Sequence, residues 1–135
     1  MKKEDTLNIV KYRIELAYNT IKESESHLSN GFLNTAMNRV YYAGFYIVSA
    51  LAAIDHFSTS KHKKLIGYFN KEYIKTGKIT KEVGEILNLA YENRQAADYQ
   101  DFITLTKTQI EDYRVRMTKL IEQVDFIIKE KLKNL

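Results

Sequence analysis

The sequence predicts an all-α chain, an up-down bundle of four long helices plus one short helix. Three observations lead there. The chain has no proline and only five glycines, so long uninterrupted helices are allowed and a sheet with many tight turns is disfavoured. Apolar residues recur three and four apart in five separate stretches. Hydrophobic residues make up 44% and charged residues 28%, the balance of a globular chain and not of a disordered one. The 135 residues show no linker, repeat or low-complexity tract and fit one domain, residues 1–135.

The first helix is expected from about Thr6 to Ser29. Leu7, Val10, Ile14, Ala17, Ile21 and Leu28 fall on one face. Asn30-Gly31 follows, and Gly31 suits the left-handed position that ends a helix. The second, from about Leu33 to Asp55, is apolar nearly all round. A helix without a clear polar face sits at the centre of a bundle or under a second subunit. Its small residues Ala43, Gly44, Ala50 and Ala53 let a neighbour approach closely.

The third is short, about Lys61 to Ile74, with Leu65, Ile66, Phe69, Tyr73 and Ile74 as its apolar set. Ser58-Thr59-Ser60 offers hydroxyls for its N-cap. Thr76-Gly77-Lys78 reads as a turn. The fourth runs from about Thr80 to Asp98, with Val83, Ile86, Leu87, Ala90, Arg94 and Ala97 on one stripe. The fifth runs from about Thr106 to Leu132. Thr106 and Gln109 have capping-box spacing. Ile110, Tyr113, Met117, Leu120, Val124 and Ile127 form the seam of an antiparallel bundle.

Zero cysteines rule out disulfides and thiolate metal sites and suit a reducing compartment. The N-terminus is charged and shows no secretory h-region. The longest apolar stretch, Tyr41 to Ile54, is shorter than the roughly 20 residues a bilayer requires. A cytoplasmic protein with no membrane association is therefore expected. The net charge of +4 permits binding of a nucleotide or RNA without demanding it.

Two segments place charged or amide side chains on otherwise core-like helices. One is Asn38-Arg39-Val40-Tyr41-Tyr42-Ala43-Gly44-Phe45-Tyr46. The other is Glu92-Asn93-Arg94-Gln95-Ala96-Ala97-Asp98-Tyr99. Charges withdrawn from water cost several kcal/mol unless they pair or line a site. Arg94 lies one turn before Asp98, so the two form a salt bridge at the helix end or Arg94 points into a cleft and holds a phosphate with its planar fork of donors. Tyr91 and Tyr99 flank it and can stack on a base. Asn38 is expected to bond across the bundle or face a ligand, and Arg39 to snorkel to the surface or hold phosphate. His62, set among lysines in Ser60-Lys61-His62-Lys63-Lys64, reads as part of a solvated helix N-terminus. No two histidines have ligand spacing with a carboxylate, so neither a metal site nor a cofactor is expected.

At these residues the chain resembles the HEPN domain family (higher eukaryotes and prokaryotes nucleotide-binding), in its small stand-alone prokaryotic branch. The similarity rests on NRVYYAGFY in the second helix, KHKKLIGYFNKEYIKTGKI through the third helix and turn, and ENRQAADY closing the fourth. It covers roughly residues 8 to 130. The resemblance implies a bundle of four or five helices, often dimeric. Many such proteins are metal-independent ribonucleases in which an arginine, followed four to six residues later by a histidine, lies at the dimer interface. Others are non-catalytic nucleotide- or RNA-binding modules. Small members are often paired with a minimal nucleotidyltransferase in a toxin–antitoxin-like system.

Carried onto this chain, Arg94 matches the motif arginine, and Tyr99 stands where the histidine would be. Histidine suits proton transfer near neutral pH, with an ordinary pKa near 6.5, whereas tyrosine lies near 10. The resemblance therefore implies first a nucleotide- or RNA-binding module, a homodimer with a nucleotidyltransferase partner. Asn38, Arg39, Tyr42, His62, Arg94 and Tyr99 would form its binding site. The alternative is a ribonuclease toxin acting through Arg94 with Asp98, Tyr99 or His62 in the histidine's place. A structural bundle whose polar residues only fix packing is the third possibility, and modification of the Tyr99 hydroxyl by the partner crosses the first two.

Overall fold

The computed structural model describes residues 2–99 and 105–135, without the side chains of 95–99. Among the described residues there are six α-helices: α1 (Lys3–Ser29), α2 (Leu33–Ile54), α3 (His62–Phe69), α4 (Lys81–Gly84), α5 (Ile86–Tyr99) and α6 (Lys107–Leu132). A π-helical turn, Asn70–Ile74, continues α3. No strand occurs among the described residues. No helix among them is long and apolar enough to cross a membrane.

Contacts along the helices give the topology. The chain doubles back at Gly31, whose φ of 78° places it in the left-handed region expected at a helix end. The Phe32 amide donates to the His27 carbonyl at 2.9 Å, closing that end. Arg13 of α1 reaches the Ser49 carbonyl of α2 at 2.9 Å. Arg94 of α5 reaches Tyr42 of α2, and Leu87 packs beside Gly44, so α5 runs against α2. Lys3 bonds the Leu135 carbonyl and Tyr18 bonds Asp125, so α6 runs against α1. The long helices alternate in direction, up-down-up-down.

α2 is the hub, packed against α1, α5, α6 and α3. Ala36, Met37, Val40, Tyr41, Ile47, Val48 and Leu51 are fully buried on it. Each large side chain of this kind contributes about 1.5–3 kcal/mol of burial. Gly44 faces α6 closely. A Cβ there would lie 2.5 Å from the Met117 sulfur and 3.1 Å from Leu87 Cδ1, so a larger residue forces both to move. The α6 seam follows its spacing: Ile110, Met117, Leu120 and Val124 are buried, Tyr113 and Ile127 half-buried. Its capping box also forms, with Gln109 N–H donating to Thr106 Oγ1 at 3.1 Å and Thr106 N–H to Gln109 Oε1 at 2.8 Å.

Three local expectations change. α1 begins at Lys3, three residues early, where Glu4 and Asp5 complement the helix N-terminus. The Ser58–Ser60 hydroxyls do not cap α3. Its N-cap is Lys61, and Thr59 Oγ1 instead accepts from the Lys61 amide at 3.1 Å, a local turn. The fourth segment is divided at Glu85 into α4 and α5. Gly84, the last residue of α4, lies against Ile74 with no room for a side chain.

Candidate functional site

The site is built on α2. Residues 38, 41, 42 and 45 share one face because helical neighbours recur three and four apart. Tyr41 is fully buried, while Asn38, Arg39, Tyr42 and Phe45 are half-buried beside it. α3 brings His62 to this face and α5 brings Tyr91 and Arg94.

His62 is not solvated as the flanking lysines suggest. Its ring stacks on Phe45 at 4.4 Å between centroids and lies 5.6 Å from Tyr41 and 6.1 Å from Tyr91. Its Nδ1 shares a 2.6 Å hydrogen bond with the Tyr41 hydroxyl. The reason is periodicity. His62 is three residues before Leu65, so the buried side of α3 includes it, while Lys61, Lys63 and Lys64 face solvent. Burial disfavours the charged imidazole, and the Arg94 charge adds to that, so the His62 pKa falls below its ordinary value. Burial likewise pushes the Tyr41 hydroxyl up, although Arg94 opposes the shift. The pair is thus held neutral near pH 7.

Arg94 stands over three tyrosine faces. Its guanidinium carbon is 5.3 Å from the Tyr41 ring centre, 5.5 Å from Tyr42 and 5.9 Å from Tyr91. One of its N–H groups donates to the Tyr42 hydroxyl at 3.3 Å. Ring faces carry negative potential, so each contact favours the cation. Arg39 covers Tyr42 at 5.3 Å. It also donates two hydrogen bonds, at 2.7 and 3.1 Å, to Asn38 Oδ1. Asn38 therefore orients its neighbouring arginine and does not bridge the bundle, a correction to the expectation.

Tyr42 thus lies between two guanidinium groups, and Asn38, Arg39, Tyr42, His62 and Arg94 form one cluster. Asp98 and Tyr99, the remaining candidates, have side chains outside the described residues. Sequence reasoning missed Tyr41 and Phe45 as parts of the site. Their signal was present, since Tyr41 lies one turn from Asn38 and Phe45 one turn from Tyr42, but aromatic residues at that spacing usually mean core. Chemically, the cluster offers two arginines suited to phosphate, aromatic edges suited to a base and a neutral histidine able to accept a proton. Among the described residues, no group of three or more His, Cys, Asp or Glu side chains could hold a metal ion.

Comparison with known proteins finds a family and two relatives. Residues 10–132 match the HEPN domain family. A UPF0332 protein of Thermotoga maritima is 32% identical over 122 residues, 90% of this chain and 92% of that relative. A Methanocaldococcus jannaschii protein named as a candidate toxin is 37% identical over 98 residues, 73% of this chain and 67% of that relative.

Proposed function

The chain belongs to the HEPN domain family, and we propose that it is a nucleotide- or RNA-binding module whose phosphate site is the Arg94 cluster. One observation carries this reading. Two arginines and a histidine, supplied by three different helices, converge on the single ring of Tyr42 and its neighbour Tyr41. Guanidinium forks beside partly exposed ring surface match the phosphate and base of a nucleotide. In this reading Arg94 and Arg39 hold phosphate oxygens, and Tyr42 and Tyr91 contact a base. The module works in the cytoplasm as a homodimer, with a minimal nucleotidyltransferase as its partner. The candidate-toxin name of the Methanocaldococcus relative supports placing it in a toxin–antitoxin-like pair.

A second reading draws on His62. A histidine from α3 lies in the same cluster as Arg94 and feels its charge. In a metal-independent ribonuclease it would accept the 2′-hydroxyl proton while Arg94 stabilises the charged phosphorane-like state. A lowered pKa leaves His62 neutral and able to serve as that base.

Incubation of a mixed RNA pool with the protein in chelator-containing buffer separates these readings. Intact RNA retained by the native chain and released at least tenfold by Arg94→Ala is the expected result. Equal retention by the folded variant would overturn the binding reading. Cleavage abolished by both Arg94→Ala and His62→Gln would establish the second. Co-expression with a minimal nucleotidyltransferase, read by copurification and by a nucleotide-sized mass increase on Tyr99, tests the partner.

A further inference from the structure

A hollow that the Arg94 cluster does not use lies between α1, α2 and the segment joining α2 to α3. It encloses about 740 Å³, within the range of small-molecule sites. Its α2 wall is made of small residues one turn apart, Ser49, Ala52 and Ala53, which leave the space open. Tyr12, Phe45, Tyr46 and Phe57 supply aromatic surface. Tyr12 is 63% exposed and Phe57 37%, so much of that surface is uncovered. Phe57 is held in place by stacking on Tyr68, 4.6 Å between centroids and 10° between planes, and Tyr68 is itself tied to Asp55. Ring surface that is both fixed and uncovered is preorganised for a flat apolar partner.

Arg13 gives the hollow its sign. It is half-buried, and its guanidinium donates to the Ser49 carbonyl at 2.9 Å, which engages one of its five donors. The residues three and four positions from it on α1, Ile9, Val10, Leu16 and Ala17, are all apolar, so its own helix offers it no carboxylate. No ion pair to Arg13 occurs among the described residues. The lining holds no aspartate, glutamate or lysine. Arg13 is its one permanent cation, and His56 beside it in the lining is exposed. A partly desolvated cation without a carboxylate is electrostatically incomplete, and an entering anion supplies the missing half. One guanidinium fork matches one carboxylate. A phosphate dianion would call for a second permanent cation that the lining lacks.

We propose that this hollow binds a small aromatic monocarboxylate, with its carboxylate on Arg13 and its ring against Tyr12 and Phe57. The site stands apart from the phosphate reading, since Arg13 belongs to α1 and takes no part in the Arg94 cluster. The two places share one side chain. Phe45 lines the hollow and stacks on His62 at 4.4 Å. Occupancy of the hollow therefore registers at the His62 ring through Phe45.

Calorimetric titration at pH 8 with three probes of one shape tests it: 1-naphthoate, its uncharged amide and 1-naphthyl phosphate. The native chain is expected to bind 1-naphthoate with a Kd below about a millimolar, and the amide and the phosphate at least tenfold more weakly. Arg13→Met keeps an unbranched side chain, removes the charge and weakens naphthoate binding at least tenfold. Ala53→Leu does the same by filling the hollow with Arg13 left in place, so the test stands even where Arg13→Met does not fold. Naphthoate also shifts the His62 imidazole resonances of the native chain. Arg94→Ala leaves naphthoate binding unchanged and Arg13→Met leaves RNA retention unchanged, so this site and the phosphate site fail separately. No naphthoate binding below ten millimolar would overturn the proposal. Equal binding of the amide, or undiminished binding by folded Arg13→Met, would overturn the role of the arginine. Phosphate binding as tight as carboxylate binding would overturn the charge selection. Loss of naphthoate binding in folded Arg94→Ala would move the ligand to the cluster and overturn the separate site.

Discussion

The two ends of α2 use the same ingredients to opposite effect. At its C-terminus, the hydroxyls of Tyr68 and Tyr73 and the Lys131 ammonium all converge on Asp55. Burial alone would raise the Asp55 pKa, but these three donors outweigh it and hold the carboxyl below its usual range. Burial, and then the bond to Asp55, push Tyr73 up to about 12, with Lys131 opposing. Toward the N-terminus, tyrosines again meet cations. There the described contacts of Arg94 and Arg39 are with ring faces, a phenol and an amide. Where a carboxylate gathers the donors, tyrosine and cation make a closed lock. Where ring faces gather them, the same residue types bring two arginines to one aromatic surface. Stability resides at the first end and, in the reading proposed above, ligand chemistry at the second.

The largest test of this contrast is Asp55→Ala. It removes the acceptor shared by two tyrosine hydroxyls and a lysine, and the expected loss is about 2–4 kcal/mol in a chemical denaturation curve. RNA retention by the folded fraction should not change. If it falls, the two ends are not separable. Gly44→Val, between them, forces Met117 and Leu87 apart and should cost about 2 kcal/mol on the same curve.

Acid sharpens the contrast because the two ends titrate in different windows. His62 has a lowered folded pKa, so the unfolded chain binds its proton first. Its term leaves stability intact above about pH 6.5 and reduces it as pH falls below that value. Asp55 is also lowered, so its contribution persists until about pH 4 and is lost as pH falls further through the folded value. Melting temperature against pH should therefore show a shallow fall below pH 6.5 and a steeper one below pH 4. His62→Gln should remove the first and leave the second.

Two smaller effects complete the series. Tyr42→Phe keeps the ring under both arginines and deletes the hydroxyl that Arg94 reaches at 3.3 Å. It should cost under about 1 kcal/mol of stability and weaken RNA retention a fewfold. His56, just past α2, has a φ of 58°, a left-handed conformation unusual for a residue with a Cβ. His56→Gly should raise stability by about 0.5–1 kcal/mol and alter no binding.

The helices were legible because patterning and end signals agreed. The α6 seam and capping box, the Gly31 end of α1 and the apolar hub of α2 each follow from local residues that also satisfy the whole fold. The site was legible in part. Arg94, Arg39 and Tyr42 stand out as polar or charged groups on core-like helices. His62 stood in the binding set that the resemblance implied, but its neighbours' charge made it read as solvated and hid a periodicity that only the packing of α3 on α2 resolves. Asp55 escaped notice altogether. It closes a predicted helix, and nothing local tells that Tyr68, Tyr73 and Lys131, up to 76 positions away by residue number, return to it. Convergence of distant residues is a property of topology, and one-dimensional spacing does not carry it.

The up-down path also governs how fast the chain reaches this shape. Helices α1 and α2 meet across a tight reversal, and α5 meets α6 soon after, so most pairings close over short stretches of chain. The docking of α6 on α1 and α2, which brings Lys3 beside Leu135 and Lys131 to Asp55, closes the long spans. Helical proteins rich in such local contacts fold in times on the order of microseconds to milliseconds. With no proline anywhere, no isomerisation step of tens of seconds intervenes. Refolding from denaturant should be a single rapid phase, and a chain stripped from a complex or from the ribosome should regain its cluster almost at once.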